Sequence, residues 1–270
     1  VGSEMCIRDR KYAKEWAFQY LDWIKKNPLT QVKKEEFELV SAGEIRDNAD
    51  NVRFAWRPLE VSNRLQDQTG QFLLFCTSKA FTPEFLTEFL VNYHRHGEFI
   101  LGNYSDQGNH LLFEAQRMVY AGVFFPEFKD AAAWRESGID ILNREIKKQV
   151  YNDGGQYELD PHYHLAAINI FCKALRMADC NGFRNEFPTE YLDTIKSMIE
   201  FYTNICFPDY TNPCFSDAKL GDYKSELANY RDWLALFPEN EWIRYYATEG
   251  REGSTCLLYT SPSPRDRTRS

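Results

Sequence analysis

Apolar residues recur at helical spacing along most of this 270-residue chain, and this periodicity constrains the fold more than any other feature. Most connections between the periodic segments are short, which favours antiparallel helical neighbours. Alternation typical of β-strands is confined to short pieces. The sequence therefore predicts an all-α fold built as a ring or solenoid of helical hairpins. Helices are predicted over 11–26, 82–97, 109–125, 127–150, 163–182, 188–206 and 222–237, with another beginning near Leu59.

Local signals mark several helix boundaries. Asn27 and Pro28 are expected to end the first helix. Thr82 is a preferred N-cap residue, and Pro83 suits the first helical position. Gly97 is expected to stop that helix. The segment 29–70 mixes polar residues with little periodicity until the helix near Leu59.

Charge and composition exclude several classes of partner. The formal net charge is −8, so the long-range field repels nucleic acid and other polyanions, and any polyanion must be held by local contacts. No stretch reaches the roughly 18 apolar residues of a membrane helix, so no membrane partner is predicted. The cysteines are scattered without a C-x-x-C pair, which predicts free thiols rather than disulfides or a zinc site.

The histidines do not predict a metal site. His94 and His96 form one pair separated by a single residue, and His162 and His164 form another. Residues at this spacing do not share a helix face. His94 and His96 are instead expected near a helix C-terminus, where an imidazolium is favoured.

Two polar segments at predicted helix starts could carry chemistry. In "QGNHLLFEAQ" (107–116), Asn109 could cap the helix, or Asn109 and His110 could face a bound anion. In "GGQYELDPHYHLAA" (154–167), Asp160 or His162 could cap a helix and Tyr163 could pack. Loops at helix starts are also common places for function, so both interpretations stay open.

These two segments together resemble the paired active-site motifs of the heparinase II/III-like polysaccharide lyases, above all the heparinase III branch. The separation of Asn109 and Tyr163 agrees with the spacing in that family. Three further stretches resemble other family segments: "FAWRPLEVSNRL" (54–65), "NPCFSDAKLGD" (212–222) and "YYATEGREG" (245–253). The resemblance covers nearly all of residues 11–253.

The resemblance implies a domain organisation. Residues 11–253 are expected to form a partial catalytic domain, an incomplete (α/α) toroid. A C-terminal β-sandwich domain, outside this sequence, would complete the site in cis and supply a further histidine. Segments 1–10 and 254–270 resemble translated sequencing-adaptor tails of metagenomic reads, so they are expected to be non-native.

The resemblance also implies an activity: β-elimination at uronic acid residues of heparan sulfate, an acidic polysaccharide, by a periplasmic or secreted enzyme without a cofactor. The net charge of −8 favours a polymer of low sulfation. By resemblance, Asn109 neutralises the uronate carboxylate, Tyr163 is the general acid and a candidate base, and His110 assists. His164, or the histidine of the missing domain, could supply the positive charge that a tyrosinate base requires. The substrate-binding candidates are Glu158, His164, Arg57, Trp56 and Asp217.

Three alternatives remain open. The chain could belong to a lyase of another uronate polymer such as alginate. It could belong to a toroid glycoside hydrolase, although the only suitable carboxylate pair, Glu158 and Asp160, is too close in sequence to flank a sugar from opposite faces. It could also be a glycan-binding scaffold without catalytic activity, whose aromatic side chains stack on sugars.

Overall fold

A computed structural model describes residues 2–29 and 55–254, and these residues are predominantly helical. No β-strand occurs in these two ranges, which contain only an isolated antiparallel bridge between Val150 and Gln156. The all-α prediction is therefore confirmed for the described part of the chain. The α-helices are α1 (Gly2–Lys26), α2 (Pro58–Phe75), α3 (Pro83–Gly102), α4 (Gly108–Phe124), α5 (Ala131–Gln149), α6 (Pro161–Cys180), α7 (Thr189–Ile205), α8 (Tyr223–Leu236) and α9 (Glu241–Ala247).

The first helix is longer than its periodicity predicts, because α1 begins at Gly2 rather than at residue 11. Residues 2–10 include good helix formers, such as Met5 and Arg8, but no apolar stripe. Periodicity alone therefore could not detect this part of the helix. The predicted polar segment 29–70 lies outside the described residues over 30–54, as does the predicted C-terminal tail over 255–270.

The chain divides into two compact units. The first comprises Val1–Lys148 and Lys173–Tyr191, and the second comprises Gln149–Cys172 and Leu192–Ser270. The core of the first unit is rich in aromatic rings. Trp16 of α1 packs on Phe85 and Phe89 of α3, with ring centroids 5.4 and 5.8 Å apart. This aromatic content is therefore used largely for packing.

The third helix begins as predicted but ends later. The Thr82 hydroxyl accepts a hydrogen bond from the Phe85 N–H at 3.2 Å, which confirms the N-cap. Gly97 does not stop the helix, which continues to Gly102. A Cβ atom at Gly97 would lie 2.6 Å from Cζ2 of Trp134, so this glycine serves a close helix–helix contact. His94 and His96 consequently lie within α3, and their predicted position at a helix end is wrong.

The second unit has its own aromatic core. Tyr230 and Trp233 of α8 pack edge to face at 4.9 Å, and the Tyr230 hydroxyl hydrogen-bonds to the Thr203 hydroxyl of α7 at 2.6 Å. The short helix α9 was not predicted, although Asn240 caps it by accepting from the Ile243 N–H at 2.9 Å. None of the described helices combines the length and apolar character needed to cross a membrane. Five cysteines are free thiols, as predicted: Cys76, Cys172, Cys180, Cys206 and Cys214.

Candidate functional site

The start of α4 decides between the two interpretations of Asn109. The N-cap position is occupied by Gln107, whose side chain makes no capping bond, and Gly108 follows with φ +75°. This left-handed conformation is tolerated by glycine, and it begins the helix one residue before Asn109. Asn109 therefore lies in the first turn, half-buried, with its Oδ1 atom buried. The interpretation of Asn109 as the helix cap is wrong.

His110 is exposed, and the charges of Arg57 and Glu60 at the start of α2 shift its pKa. Desolvation lowers the pKa of His110 below its ordinary value, the positive charge of Arg57 lowers it further, and Glu60 opposes the shift. A lowered pKa makes His110 a neutral imidazole near neutral pH. Arg57 is exposed and occupies the N-cap position of α2 in the extended conformation that Pro58 favours.

Trp56, next to Arg57, is a core residue. It is 4% exposed, its Nε1 donates to the Asn27 carbonyl at 3.1 Å, and its ring centroid lies 5.0 Å from that of His96. A ring buried to this extent offers no face on which a sugar could stack. The predicted stacking side chain instead fixes the start of α2 against the first unit's aromatic core.

Asp160 caps α6 in the second unit. It is 2% exposed, and its Oδ1 accepts from the N–H groups of His162 and Tyr163 at 2.7 and 3.0 Å. Its Oδ2 accepts from the Asp217 N–H at 2.9 Å. One carboxylate therefore fixes both the first turn that carries Tyr163, which is half-buried, and the loop that carries the exposed Asp217.

His164 is held by backbone contacts on both ring nitrogens. Its Nδ1 accepts from the Gln156 N–H at 3.1 Å, and its Nε2 donates to the Met198 carbonyl at 2.9 Å. An accepting Nδ1 requires a neutral ring. Burial lowers the pKa of His164, which agrees with that state. The structure therefore does not support His164 as the positive group beside Tyr163.

The loop before α6 approaches α7 closely. A Cβ atom at Gly154, which has φ +89°, would lie 2.2 Å from the Ser197 carbonyl oxygen. Glu158 on this loop is half-buried, and its N–H donates to the Gln156 side chain at 3.0 Å. A cavity of about 130 Å³ adjoins the loop, lined by Gln156, Leu159, Asp160, Pro161, His164, Phe201, Ile205 and Phe215.

One group of potential metal ligands was not predicted from the spacing of the histidines, because its other two members are carboxylates. His94 and Glu98 are four residues apart on α3, and with Asp130 they place their ligand atoms within 4.8 Å of one another. The His94 Nε2 atom lies 2.8 Å from Asp130 Oδ2, and Trp134 Nε1 donates to Glu98 at 2.8 Å. His94 and Asp130 therefore form a hydrogen-bonded pair beside the exposed carboxylate of Glu98, an arrangement that is common on protein surfaces.

Glu114 is a second residue that sequence analysis missed. Its side chain is fully buried at 0% exposure, on the same face of α4 as Leu111 and Met118. Its two carboxylate oxygens accept from the N–H and the hydroxyl of Ser105, each at 2.7 Å. A sequence signal existed, because an acidic residue on the apolar face of a helix is rarely buried without partners.

The predicted residues are thus shared between the two units. Asn109, His110 and Arg57 belong to the first unit, and Glu158, Tyr163, His164 and Asp217 belong to the second. Within the first unit, Arg57 influences His110 electrostatically. Within the second, Asp160 ties the turn carrying Tyr163 to the loop carrying Asp217.

Comparisons with known proteins agree with this fold. Residues 5–245 match the family model described as heparinase II/III N-terminus. A "Heparin-sulfate lyase" of Bacteroides stercoris is 71% identical over 246 residues, which cover 91% of this chain and 37% of the relative. A "Heparin-sulfate lyase" of Pedobacter heparinus is 47% identical over 245 residues, covering 91% of this chain and 35% of the relative.

Solved structures give the same result. A heparinase III gene product is 74% identical, with a TM-score of 0.81 over 91% of this chain and 38% of that chain. The heparan sulfate lyase HepC from Pedobacter heparinus is 46% identical, with a TM-score of 0.77 over 92% of this chain and 37% of that chain. This chain therefore spans little more than a third of the length of these relatives. Because the family model matches most of its residues, the chain belongs to the heparinase II/III N-terminus family.

Proposed function

We propose that this chain is part of a polysaccharide lyase that cleaves heparan sulfate by β-elimination at uronic acid residues. The observation that carries this proposal is the 71% identity to a protein named heparin-sulfate lyase, over 91% of the chain. Two helix starts support it: Asn109 lies in the first turn of α4 instead of capping it, and Tyr163 lies in the first turn of α6.

The reaction needs three groups. One neutralises the uronate carboxylate, one takes the C5 proton, and one protonates the oxygen that leaves C4. Asn109 suits the first task because an amide donates a hydrogen bond without changing charge. The first turn of a helix also favours an anion, because its backbone N–H groups have no acceptor within the helix and point towards its N-terminal end. His110, as a neutral imidazole, can add one N–H donor.

Tyr163 suits the role of general acid. A phenol is ordinarily protonated near neutral pH, so it can donate to the leaving oxygen without activation. The base role would require a nearby cation to stabilise tyrosinate. His164 does not provide one, because its ring is neutral and both nitrogens are occupied. Among the groups of this chain considered for that task, the contacts of His164 therefore favour the acid role of Tyr163.

Substrate binding is proposed to use charged groups of both signs. Arg57 is exposed and can pair with a uronate carboxylate or a sulfate. Glu158 and Asp217 can accept from sugar hydroxyl or amide groups, but their charges repel sulfate. With a net charge of −8, this distribution favours a polymer of low sulfation.

Two parts of the proposal concern the longer protein. Further catalytic groups, including a histidine, are proposed to come from the part of the relatives that this chain does not span. A periplasmic or secreted location is proposed because the substrate is a large extracellular polymer. Fractionation of cells that express the longer protein tests this, and activity confined to the cytoplasm would contradict it.

The substrate is tested with a joined enzyme, in which this chain replaces the matching region of the Bacteroides stercoris relative. Heparan sulfate, heparin, hyaluronan and alginate are supplied separately, and ultraviolet absorbance and reducing ends are followed together. We expect both signals to rise fastest on heparan sulfate, because elimination leaves a conjugated double bond. Reducing ends without absorbance would indicate a hydrolase, absorbance on alginate alone would indicate another lyase, and binding without either signal would indicate a scaffold.

A further inference from the structure

The carboxylate of Glu114 is a buried titratable group that the proposed mechanism does not use. It lies four residues after His110 on α4, at 0% exposure, so it cannot touch a polysaccharide. Both of its oxygens are bound by one residue, Ser105, through the N–H and the hydroxyl at 2.7 Å each. Glu114 therefore joins α4 to the connection that precedes it.

That connection, residues 103–107, is also anchored at its beginning. The Asn103 side chain donates to the Phe99 carbonyl at 2.8 Å, and the Ser137 hydroxyl donates to the Tyr104 hydroxyl at 3.2 Å. These contacts hold the connection to α3 and α5. The contact between Ser105 and Glu114 links the connection to α4.

The start of α4 lacks the side-chain cap of an ordinary helix start. Gln107, at the N-cap position, makes no side-chain capping bond, and Gly108 has φ +75°. A capping side chain would normally fix the direction of the first turn. Here, the connection leads into the first turn without such a cap, and the next two residues are Asn109 and His110.

The charges around Glu114 include the arginine assigned to substrate binding. The positive charges of Arg117 and Arg57 lower the pKa of Glu114. The negative charge of Glu60 raises the pKa of His110 and of Arg117, and Asp67 also raises the pKa of Arg117. Arg117 is itself held by Ser62 at 3.1 Å. Removal of Glu114 therefore affects both the path of the connection and the local charge near Arg57.

We propose that Glu114 is a positioning residue for the polysaccharide site: by holding Ser105, it fixes the first turn of α4 and thereby the side chains of Asn109 and His110. The functional part of this inference rests on the proposed lyase function. The structural part concerns only the first unit of this chain.

The variants Glu114→Gln and Glu114→Ala separate geometry from charge. A glutamine can accept from the Ser105 N–H through its carbonyl and donate to the Ser105 hydroxyl through its amide. It therefore keeps both contacts without the charge, whereas alanine loses both. Glu136→Ala is the matched control, because Glu136 is an exposed glutamate on α5.

The structural test is amide hydrogen exchange of residues 103–110 in this chain. Glu114→Ala should speed exchange of the Ser105 amide roughly tenfold or more, while Glu114→Gln and Glu136→Ala should resemble the wild type. Unchanged exchange in Glu114→Ala would overturn the proposed link.

The functional test measures kcat and KM of the joined enzyme on heparan sulfate at several pH values. Misplacement of a catalytic side chain can cost on the order of 100-fold in rate, so Glu114→Ala should lose mainly kcat, and Glu114→Gln should restore most of it. A purely structural role would leave kcat of the folded Glu114→Ala enzyme unchanged, and that result would overturn the positioning role alone. If the joined enzyme without substitutions shows no activity on heparan sulfate, the lyase function and the positioning role are overturned together.

Discussion

The contact between Gly97 and Trp134 gives a quantitative prediction about the first unit. A Cβ atom at Gly97 would lie 2.6, 2.7 and 2.9 Å from three ring atoms of Trp134, a side chain at 0% exposure. Ordinary contacts of this kind begin near 3.4 Å. The Gly97→Ala variant must therefore displace the ring or the helix by several tenths of an ångström in a close-packed core.

Gly70 offers a matched control. It also lies within a helix, α2, but it is exposed, and an added Cβ would meet nothing within 4 Å. Replacing glycine by alanine inside a helix gains about 1 kcal/mol from propensity alone. Both variants share this gain, whereas overpacking costs about 1 to 3 kcal/mol at Gly97 only. Gly97→Ala should therefore be less stable than Gly70→Ala by about 2 kcal/mol.

The assay is urea unfolding of both variants and the wild type, followed by tryptophan fluorescence and by circular dichroism. We expect Gly70→Ala to unfold at higher urea than the wild type, and Gly97→Ala to unfold at lower urea than Gly70→Ala. Equal midpoints for the two variants would refute the packing argument. A double variant, Gly97→Ala with Trp134→Phe, should recover part of the loss caused by overpacking, because the smaller ring leaves room for the methyl group.

Three further predictions concern individual contacts. Asp160→Ala removes the cap of α6 and the bond from Asp217, so thermal unfolding should show a loss of about 2 kcal/mol or more, and Asp160→Asn should lose less. Burial raises the pKa of Glu114 from 4.5 to about 7, so the folded state keeps a proton that the unfolded state releases. The stabilisation of the fold by the protonated Glu114 carboxyl group is fully present below pH 4.5 and is lost as the pH rises through about 7. The Glu114→Gln variant should therefore be more stable than the wild type at pH 8, by about 3 kcal/mol at most, and equally stable at pH 4. Arg135 binds Glu186 through two contacts of 2.8 and 3.0 Å, so Arg135→Lys, which cannot pair bidentately, should lower the unfolding temperature, and an unchanged temperature would contradict this.

The helices could be predicted from sequence because apolar periodicity is a local signal. The N-cap at Thr82 was predictable for the same reason, since its partner Phe85 is three residues away. Gly97 was misinterpreted as a stop because the reason for a glycine there, the ring of Trp134, is distant in sequence. The start of α1 was missed because residues 2–10 lack an apolar stripe.

The residue types of the candidate site could be predicted from the sequence, but their contacts with distant segments could not. Asp160 was correctly considered as a cap, yet its second contact, with Asp217, depends on a loop far along the chain. Asn109 was a reasonable cap from its residue type, but the left-handed Gly108 moves the helix start. His164 looked like a chemical group, and only the three-dimensional contacts reveal that both of its nitrogens bind backbone.

The proposal that Asn109 and Tyr163 serve the same elimination reaction is tested by the rate of absorbance increase on heparan sulfate. The joined enzyme is compared with its Asn109→Ala, Tyr163→Phe and Tyr157→Phe variants. Tyr157 serves as the control because it is an exposed tyrosine of the loop that precedes α6. We expect kcat to fall roughly 100-fold or more for Asn109→Ala and for Tyr163→Phe, and to stay near the wild-type value for Tyr157→Phe. Full activity in either of the first two variants would contradict the role proposed for that residue, and no absorbance increase in the wild type would contradict the lyase function itself.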